Sequence, residues 1–525
     1  MANNKKKTGK PNIFVYILAV AVALATIYFS FRVYQLVSGI GVLPQKYIDI
    51  TRYSLIGINV FFGIFAFLPN VNNLNKILQI IMEGIICAAL VIGVVKIPEY
   101  QGRIERMFTD VPEEGTLNFS VYTLADSPIN EVRDLNDVEI GIQKKLDTEY
   151  QGYSLKVITK ELEGKSVPTR EYEDLYTAVD DLYSGNVKAI LLNESYETIL
   201  TGNADFEDFR DRTKKIYTIE HKVQLSYDTA AVENITSEPF VVLIGGNDSW
   251  DYDEILDTAG YQGRTDVNML VTVNPTTKQV LIITIPRDSY VPLWGESYAM
   301  DKLTHATVYG INDWIETVSY FMDVDINYFV RINFSSLINV IDALGGVDVY
   351  NPYYFETTFE NYVPDEYGNH VYREYTFEVG DLHLDGAAAL TYCRERKYYN
   401  PDAGITGDEM RNQHQAMVMK AILNKVTSVS VITHITDLLK AVEGTFATDL
   451  NINQIYGLVQ MQLDDMATWN INMFGLSGYG DMRTSYAMGS ASGILYSVFI
   501  VDTNDVYKAQ SLIDKVIDGE IIMIE

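Results

Sequence analysis

Three apolar stretches in the first hundred residues limit this chain more than any other feature. Ile13–Phe31 carries no charge, Tyr53–Val71 is a second charge-free run, and Ile77–Val95 is a third, broken only by Glu83. About 20 apolar residues in a helix cross a bilayer core. The first run follows Lys5, Lys6, Lys7 and Lys10, which stay on the cytoplasmic side under the positive-inside rule. A cleaved signal peptide would have a shorter apolar region and would not normally be followed at once by two more spans. Three spans from a cytoplasmic start place everything after Lys96 outside the cell. Glu83 is expected to face the other helices or mark a helix end, and Cys87 to pack.

Charge follows the same division. Residues 1–100 hold nine Lys or Arg and three Asp or Glu, for +6; the remaining 31 and 67 give the body −36, and the whole chain −30. Such a body argues against nucleic acid as a partner, because phosphate-backbone binding needs a basic footprint. Aromatics at 12%, with 37 Tyr, argue for a folded chain rather than a disordered acidic one. Two cysteines, Cys87 and Cys393, rule out a disulfide scaffold or a cysteine-rich zinc site.

A length of 525 residues allows roughly three domains. The reading is α/β: residues 1–97 form a cytoplasmic tail and three transmembrane helices, 98–236 a small α/β accessory domain, and 237–525 a larger α/β domain. In the accessory region Val138–Ile142, Leu155–Thr159 and Val187–Leu192 read as strands. Tyr172–Tyr183 has a helical pattern, and a second helix falls near Ser195–Leu200. His221 stands alone there and reads as a surface residue. In the larger region, strands are expected at Val241–Gly246, Met269–Val273 and Val280–Ile285, with a turn at Asn274–Lys278. Helices are expected at Ile311–Phe321, Phe334–Leu344 with a stop at Gly345-Gly346, Gly386–Tyr392 and Arg411–Lys425.

Residues with chemical potential cluster at predicted strand ends. They are Gly245-Gly246-Asn247-Asp248; Arg264-Thr265-Asp266; Pro286-Arg287-Asp288 with Lys302 and His305; and Arg394-Glu395-Arg396 with Asp408, Arg411 and Gln415. Ligands of open α/β sheets bind beyond the carboxyl ends of strands. Arginine forks suit bidentate phosphate recognition. Asp248 and Asp266 suit a hard cation such as Mg²⁺, which takes a few carboxylates plus phosphate oxygens. The competing reading is a set of surface ion pairs and a solvated helix face. No Walker loop, Gly-x-Ser-x-Gly elbow or HExxH motif is present. Cys393 lacks a His base and reads as packed.

In order and spacing, "GRTDVNMLVTVNPTTKQVLIITIPRDSYV", "DKLTHATVYG", "INYFVRINFSSLINVIDALGGVDVYN", "HLDGAAALTYCRERKYY", "GDEMRNQHQ" and the later "SGYGDMRTSYAMG" resemble the LytR-CpsA-Psr family of cell-envelope proteins. The three-span head and the inserted region resemble its capsule-associated branch in Gram-positive bacteria. The resemblance implies a central sheet flanked by helices, with an apolar tunnel for a lipid tail, for which Phe334–Val349 and Val418–Val431 supply apolar residues. It implies a phosphotransferase that moves a capsular polysaccharide or related anionic polymer from a polyprenyl-pyrophosphate carrier to peptidoglycan.

By the same resemblance, Asp248 and Asp266 bind Mg²⁺, with Mn²⁺ as the alternative. Arg264, Arg287, Arg394, Arg396 and Arg411 clamp the pyrophosphate beside Lys302 and Gln415, and Asp288 orients Arg287 or helps organise the metal site. Membrane lipid and other capsule-synthesis membrane proteins are the remaining expected partners. Two departures stand out: Glu409-Met410 before Arg411, and an acidic loop from Asp248 to Arg264. The other function classes are a non-catalytic regulator that binds polyprenyl phosphate and a polyprenyl pyrophosphatase.

Overall fold

The computed structural model describes residues 13–41, 43–68, 73–108, 114–201, 203, 205–224, 227–247, 264–361, 371–395, 407–428, 446–486 and 495–524. The chain divides into two compact units: residues 1–109 with 451–467, and residues 110–450 with 468–525.

In the first unit, α1 (Ile13–Ser38), α2 (Gln45–Phe67) and α3 (Asn73–Phe108) follow the three apolar runs. All three are long and apolar enough to cross a membrane, the third over Asn73–Glu99. Two charged side chains of α3 are paired locally, as burial requires. Glu83 is buried and accepts from Gln79 Nε2 at 3.0 Å. Lys76, just before the third run, is also buried. Its ammonium donates to the carbonyls of Phe65 and Ala66 at 2.5 Å each. These carbonyls belong to the last turn of α2, where a cation offsets the negative helix end. Residues 451–467, which the sequence reading placed in the third region, group with these helices. There Lys46 Nζ lies 3.6 Å from Asp464 Oδ1, and Tyr47 Oη donates to the Leu463 carbonyl.

The second unit contains two sheets. The smaller has the strand order β3-β2-β4-β1-β5, from β1 (Glu114–Leu124), β2 (Ile140–Gln143), β3 (Thr169–Tyr172), β4 (Ala189–Asn193) and β5 (Thr213–Gln224). Around it lie α4 (Thr148–Glu161), α5 (Leu175–Tyr183) and α6 (Tyr196–Thr201). Here the structure corrects two expectations. Leu155–Thr159 is part of helix α4, not a strand. The face of α4 that is buried carries Gln151, Ser154 and Ile158, at helical spacing but mostly polar. Gln151 bonds both the N–H and the carbonyl of Gln143, so it hides from a hydrophobicity pattern while still being core. His221 is buried, not surface. It pairs with Ser154 Oγ at 2.9 Å and meets Phe119 and Tyr153 edge-on.

The larger sheet is built from β6 (Phe240–Asn247), β7 (Thr265–Asn274), β8 (Gln279–Thr284), β11 (Tyr328–Ile332), β12 (Phe446–Thr448) and β13 (Asn470–Gly475). Its order is β12-β11-β6-β7-β8-β13. Every residue of β8 is buried, as expected of a strand covered on both faces. β6 runs parallel to β11, β7 is antiparallel to both β6 and β8, and β13 is parallel to β8. The carboxyl ends of β6, β8, β11 and β13 therefore share one edge. A short ribbon, β9 (Tyr290–Leu293) with β10 (Ala299–Lys302), leads into α7 (Leu303–Tyr309) and α8 (Ile311–Met322). Then come α9 (Phe334–Ala343), α10 (Gly386–Arg394) and α11 (Gly407–Val426). The two sheets pack in one unit: Val308 joins the core of the smaller sheet, and Tyr176 stacks on Tyr496.

Candidate functional site

At the shared carboxyl edge lies a pocket of about 330 Å³. Four arginines reach it from four places in the sequence: Arg264 before β7, Arg287 after β8, Arg394 at the end of α10 and Arg411 on α11. Asp266, Gln415 and Cys393 also line it, with Phe334, Leu337 and Leu390 as an apolar wall.

Small residues bring the backbones close. A Cβ on Gly245 would fall 2.6 Å from the Trp314 ring, and one on Gly246 would fall 2.9 Å from Val267. The register slips between Gly246 and Asn247, a bulge that turns the end of β6 at the pocket rim. Gly386 lets α10 touch α9, since a Cβ there would lie 2.3 Å from the Ile338 carbonyl oxygen. Asn333 caps α9 by accepting from Ser336 N at 2.8 Å. With Asn333 and Phe334 in the lining, the N-terminus of α9 opens on the pocket, and such ends favour anions.

The charges are held in defined pairs. Arg287 Nη1 donates to Asp266 Oδ1 at 2.6 Å, and its Nε lies 3.5 Å from Asp288 Oδ2. Lys302 Nζ stands 3.2 Å from the other oxygen of Asp288. Burial pushes the Asp266 carboxyl up, but Arg287, Arg264 and Arg411 together hold it below the usual carboxylate range. Asp288 behaves alike: burial raises it, and Lys302 and Arg287 bring it below normal. Arg394 lies over the Phe334 ring at 4.5 Å, a cation–π contact that fixes its plane. Arg411 is buried, and Gln415 one turn on donates to the Cys393 carbonyl at 3.3 Å. Burial pushes the Cys393 thiol up to about 12, so it is no thiolate at neutral pH.

Of the residues singled out in the sequence, Arg264, Asp266, Arg287, Arg394, Arg411 and Gln415 line one pocket. Asp288 sits one contact behind, against Arg287, and Lys302 one further, against Asp288. Asp248 and Arg396 lie outside the described residues, as does the side chain of Asp408. Gly246 and Asn247 of the first cluster line the pocket as well, whereas sequence reasoning missed Arg331 and Asn333. Arg331 is buried on β11 and donates from Nη2 to Asn247 Oδ1 at 2.8 Å, behind the rim. The Asn-Phe-Ser-Ser start of α9 was the available signal for Asn333.

Asp266 is the carboxylate that the described pocket wall offers to a cation. Among the described residues no three His, Cys, Asp or Glu gather as a metal cage. Mg²⁺ needs only one or two carboxylates when phosphate oxygens complete its shell. Asp266, ionised and in the pocket wall, fits that requirement.

These features define an α/β protein with three helices long and apolar enough to cross a membrane and a pocket walled by four arginines. The chain belongs to the LytR_cpsA_psr family, whose model matches residues 204–501. It is 32% identical over 265 residues to the polyisoprenyl-teichoic acid–peptidoglycan teichoic acid transferase TagU of Bacillus licheniformis, covering 50% of this chain and 72% of that one. It is 33% identical over 219 residues to TagU of Enterococcus faecalis, covering 42% and 64%. The crystal structure of B. subtilis TagV superposes with a TM-score of 0.41 at 24% identity, covering 54% and 98%.

Proposed function

We propose that the chain transfers a capsular polysaccharide or related anionic glycopolymer from a polyprenyl-pyrophosphate carrier to peptidoglycan. The observation that carries this is the gathering of Arg264, Arg287, Arg394 and Arg411 around one pocket in a chain of charge −30. Four guanidinium forks suit a pyrophosphate, and transition-state charge on phosphoryl oxygens is stabilised by such fixed donors. The names of the relatives, teichoic acid transferases to peptidoglycan, support the same class of reaction.

In this reading the acceptor hydroxyl oxygen attacks the phosphorus that bears the sugar. A new P–O bond forms and the P–O bond to the bridging oxygen breaks. Polyprenyl phosphate leaves, the polymer is joined by a phosphodiester, and the hydroxyl proton passes to a base, for which Asp248 is a candidate. Arg287, oriented by Asp266 and Asp288, and Arg394, set by Phe334, hold the phosphates in line. Arg396, Lys302 and Gln415 assist the clamp. Asp266, with Asp248, would hold Mg²⁺ or Mn²⁺, which supplies further charge neutralisation when bound. Leu337 borders the pocket and also packs on an apolar cluster with Ile341, Val347, Val418 and Ala421, a suitable bed for a lipid tail. In this reading the reaction runs at the outer face of the cell membrane, where the carrier lipid lies, and three helices of membrane-spanning length support it.

The test is a single-turnover assay with carrier-linked polymer, with and without peptidoglycan. Release of polyprenyl phosphate together with polymer joined to acceptor supports the reading. A regulator would bind without turnover, and a pyrophosphatase would release phosphate equally well without acceptor.

A further inference from the structure

A second surface lies outside the pocket. Trp294, Tyr298 and Tyr320 are 42%, 47% and 50% exposed, yet their rings form one cluster, with centroids 5.0–5.8 Å apart. Three large aromatics left to water together are unlike scattered surface residues, and such patches mark binding sites. The cluster is held in place. Trp294 N donates to Thr317 Oγ1 at 3.1 Å. Ser297 and Tyr298 both have positive φ, 54° and 62°, a conformation unfavourable to them that turns the Tyr298 ring outward only because the surrounding ribbon fixes it.

The charge around the rings selects the ligand. Between Tyr290 and Asp325 the chain has six carboxylates and one lysine, Lys302; Asp301 is buried against His305 and Ser485 and Asp313 is pushed up to about 7, which leaves Glu296, Glu316, Asp323 and Asp325 as the acidic flank. Lys302 is engaged by Asp288. Glu316 stands four residues before Tyr320 on α8 and so shares its face, and Asp323 follows as the residue that ends the helix. An acidic flank repels anionic headgroups and polyanionic polymers. It suits an uncharged sugar chain, whose C–H faces stack on aromatic rings and whose hydroxyls donate to carboxylates.

Distance links this surface to the pocket. Trp294 follows Arg287 by seven residues through β9, so the two lie within about 23 Å even for fully extended chain. We propose that Trp294, Tyr298 and Tyr320 form a stacking subsite for the uncharged sugar backbone of the acceptor glycan strand. This rests on the transfer reading for the identity of the acceptor. The subsite holds the strand a few sugars from the hydroxyl that reacts, so that the anionic donor and the neutral acceptor meet the protein on surfaces of opposite charge character.

The test uses full-length protein in detergent micelles and hexa-N-acetylglucosamine as probe, with binding read by calorimetry. Wild type is expected to bind, and Trp294→Ala to bind about tenfold more weakly, the scale of a lost aromatic stack. Arg287→Ala should bind the sugar as wild type does while losing transfer, which separates failure of the subsite from failure of the transfer reading. The rings are exposed, so substitution should leave the thermal midpoint unchanged, and Trp294→Phe should restore most of the affinity. The proposal is overturned if wild type does not bind, or if the triple alanine variant of Trp294, Tyr298 and Tyr320 binds equally well. It is also overturned if those rings instead bind polyglycerol phosphate, or if brominated lipids quench Trp294 in proteoliposomes.

Discussion

At the scale of single residues, the account depends on fixed charge. Asp266 and Asp288 lie below the usual carboxylate range because cations outweigh their burial, so both stay ionised at any pH at which the envelope works. Asp313 is the opposite case. Burial, and then Glu296, push it up to about 7. A carboxyl whose folded pKa lies above its unfolded value near 3.8 withdraws stability as pH climbs from about 4 to about 7, because the folded state holds the proton longer. Asp313→Asn should therefore raise the thermal midpoint at pH 8 by a few degrees and change it little at pH 4. Equal shifts at both values would refute this. Cys393, with its thiol near 12, should resist alkylation at pH 7.5 in the folded protein and react once denaturant is added. Cys393→Ala should keep transfer activity, since no step uses the sulfur; loss of activity in a well-folded variant would give the thiol a role.

Elements show what was legible and what was not. Long apolar runs with ordinary periodicity were readable, and β6, β7, β8, α8, α9 and α11 fall where the pattern placed them. The failures share one cause: a polar group made core by a partner on another element. Leu155–Thr159, within α4, reads as a strand because Gln151 and Ser154 occupy the helix's buried face, serving Gln143 and His221. Arg331, on β11, is buried with a partner, Asn247, that lies 84 positions away and that no local pattern points to. Lys76 is explained by the end of α2. The site clusters were legible because each sits at an element end, but their convergence depends on the order β11-β6-β7-β8, which no local pattern encodes. The contact of α9 with α10 can be tested directly. Gly386→Val should lower stability by about 1–3 kcal/mol through overpacking and displace Arg394 from Phe334. A variant that melts and reacts like wild type would show that the close approach is not required.

For the whole molecule, the uneven charge distribution now has a spatial meaning. The +6 head contains the three apolar helices, and in the −36 body the pocket wall collects four arginines around one carboxylate. Protease added to intact protoplasts should digest the chain beyond residue 108 and spare the N-terminal tail; protection of the body would reverse the topology. Loss of the protein should shed one glycopolymer into the medium, and its identity would name the donor. The central claim is that the arginine pocket with Asp266 performs the transfer. Its most direct test is the rate at which carrier-linked polymer is joined to peptidoglycan by purified wild type, Arg394→Ala and Asp266→Ala. Removing one fixed donor of transition-state charge is expected to slow kcat by about 10²–10³-fold in each. Transfer at the full rate by both folded variants would contradict the account.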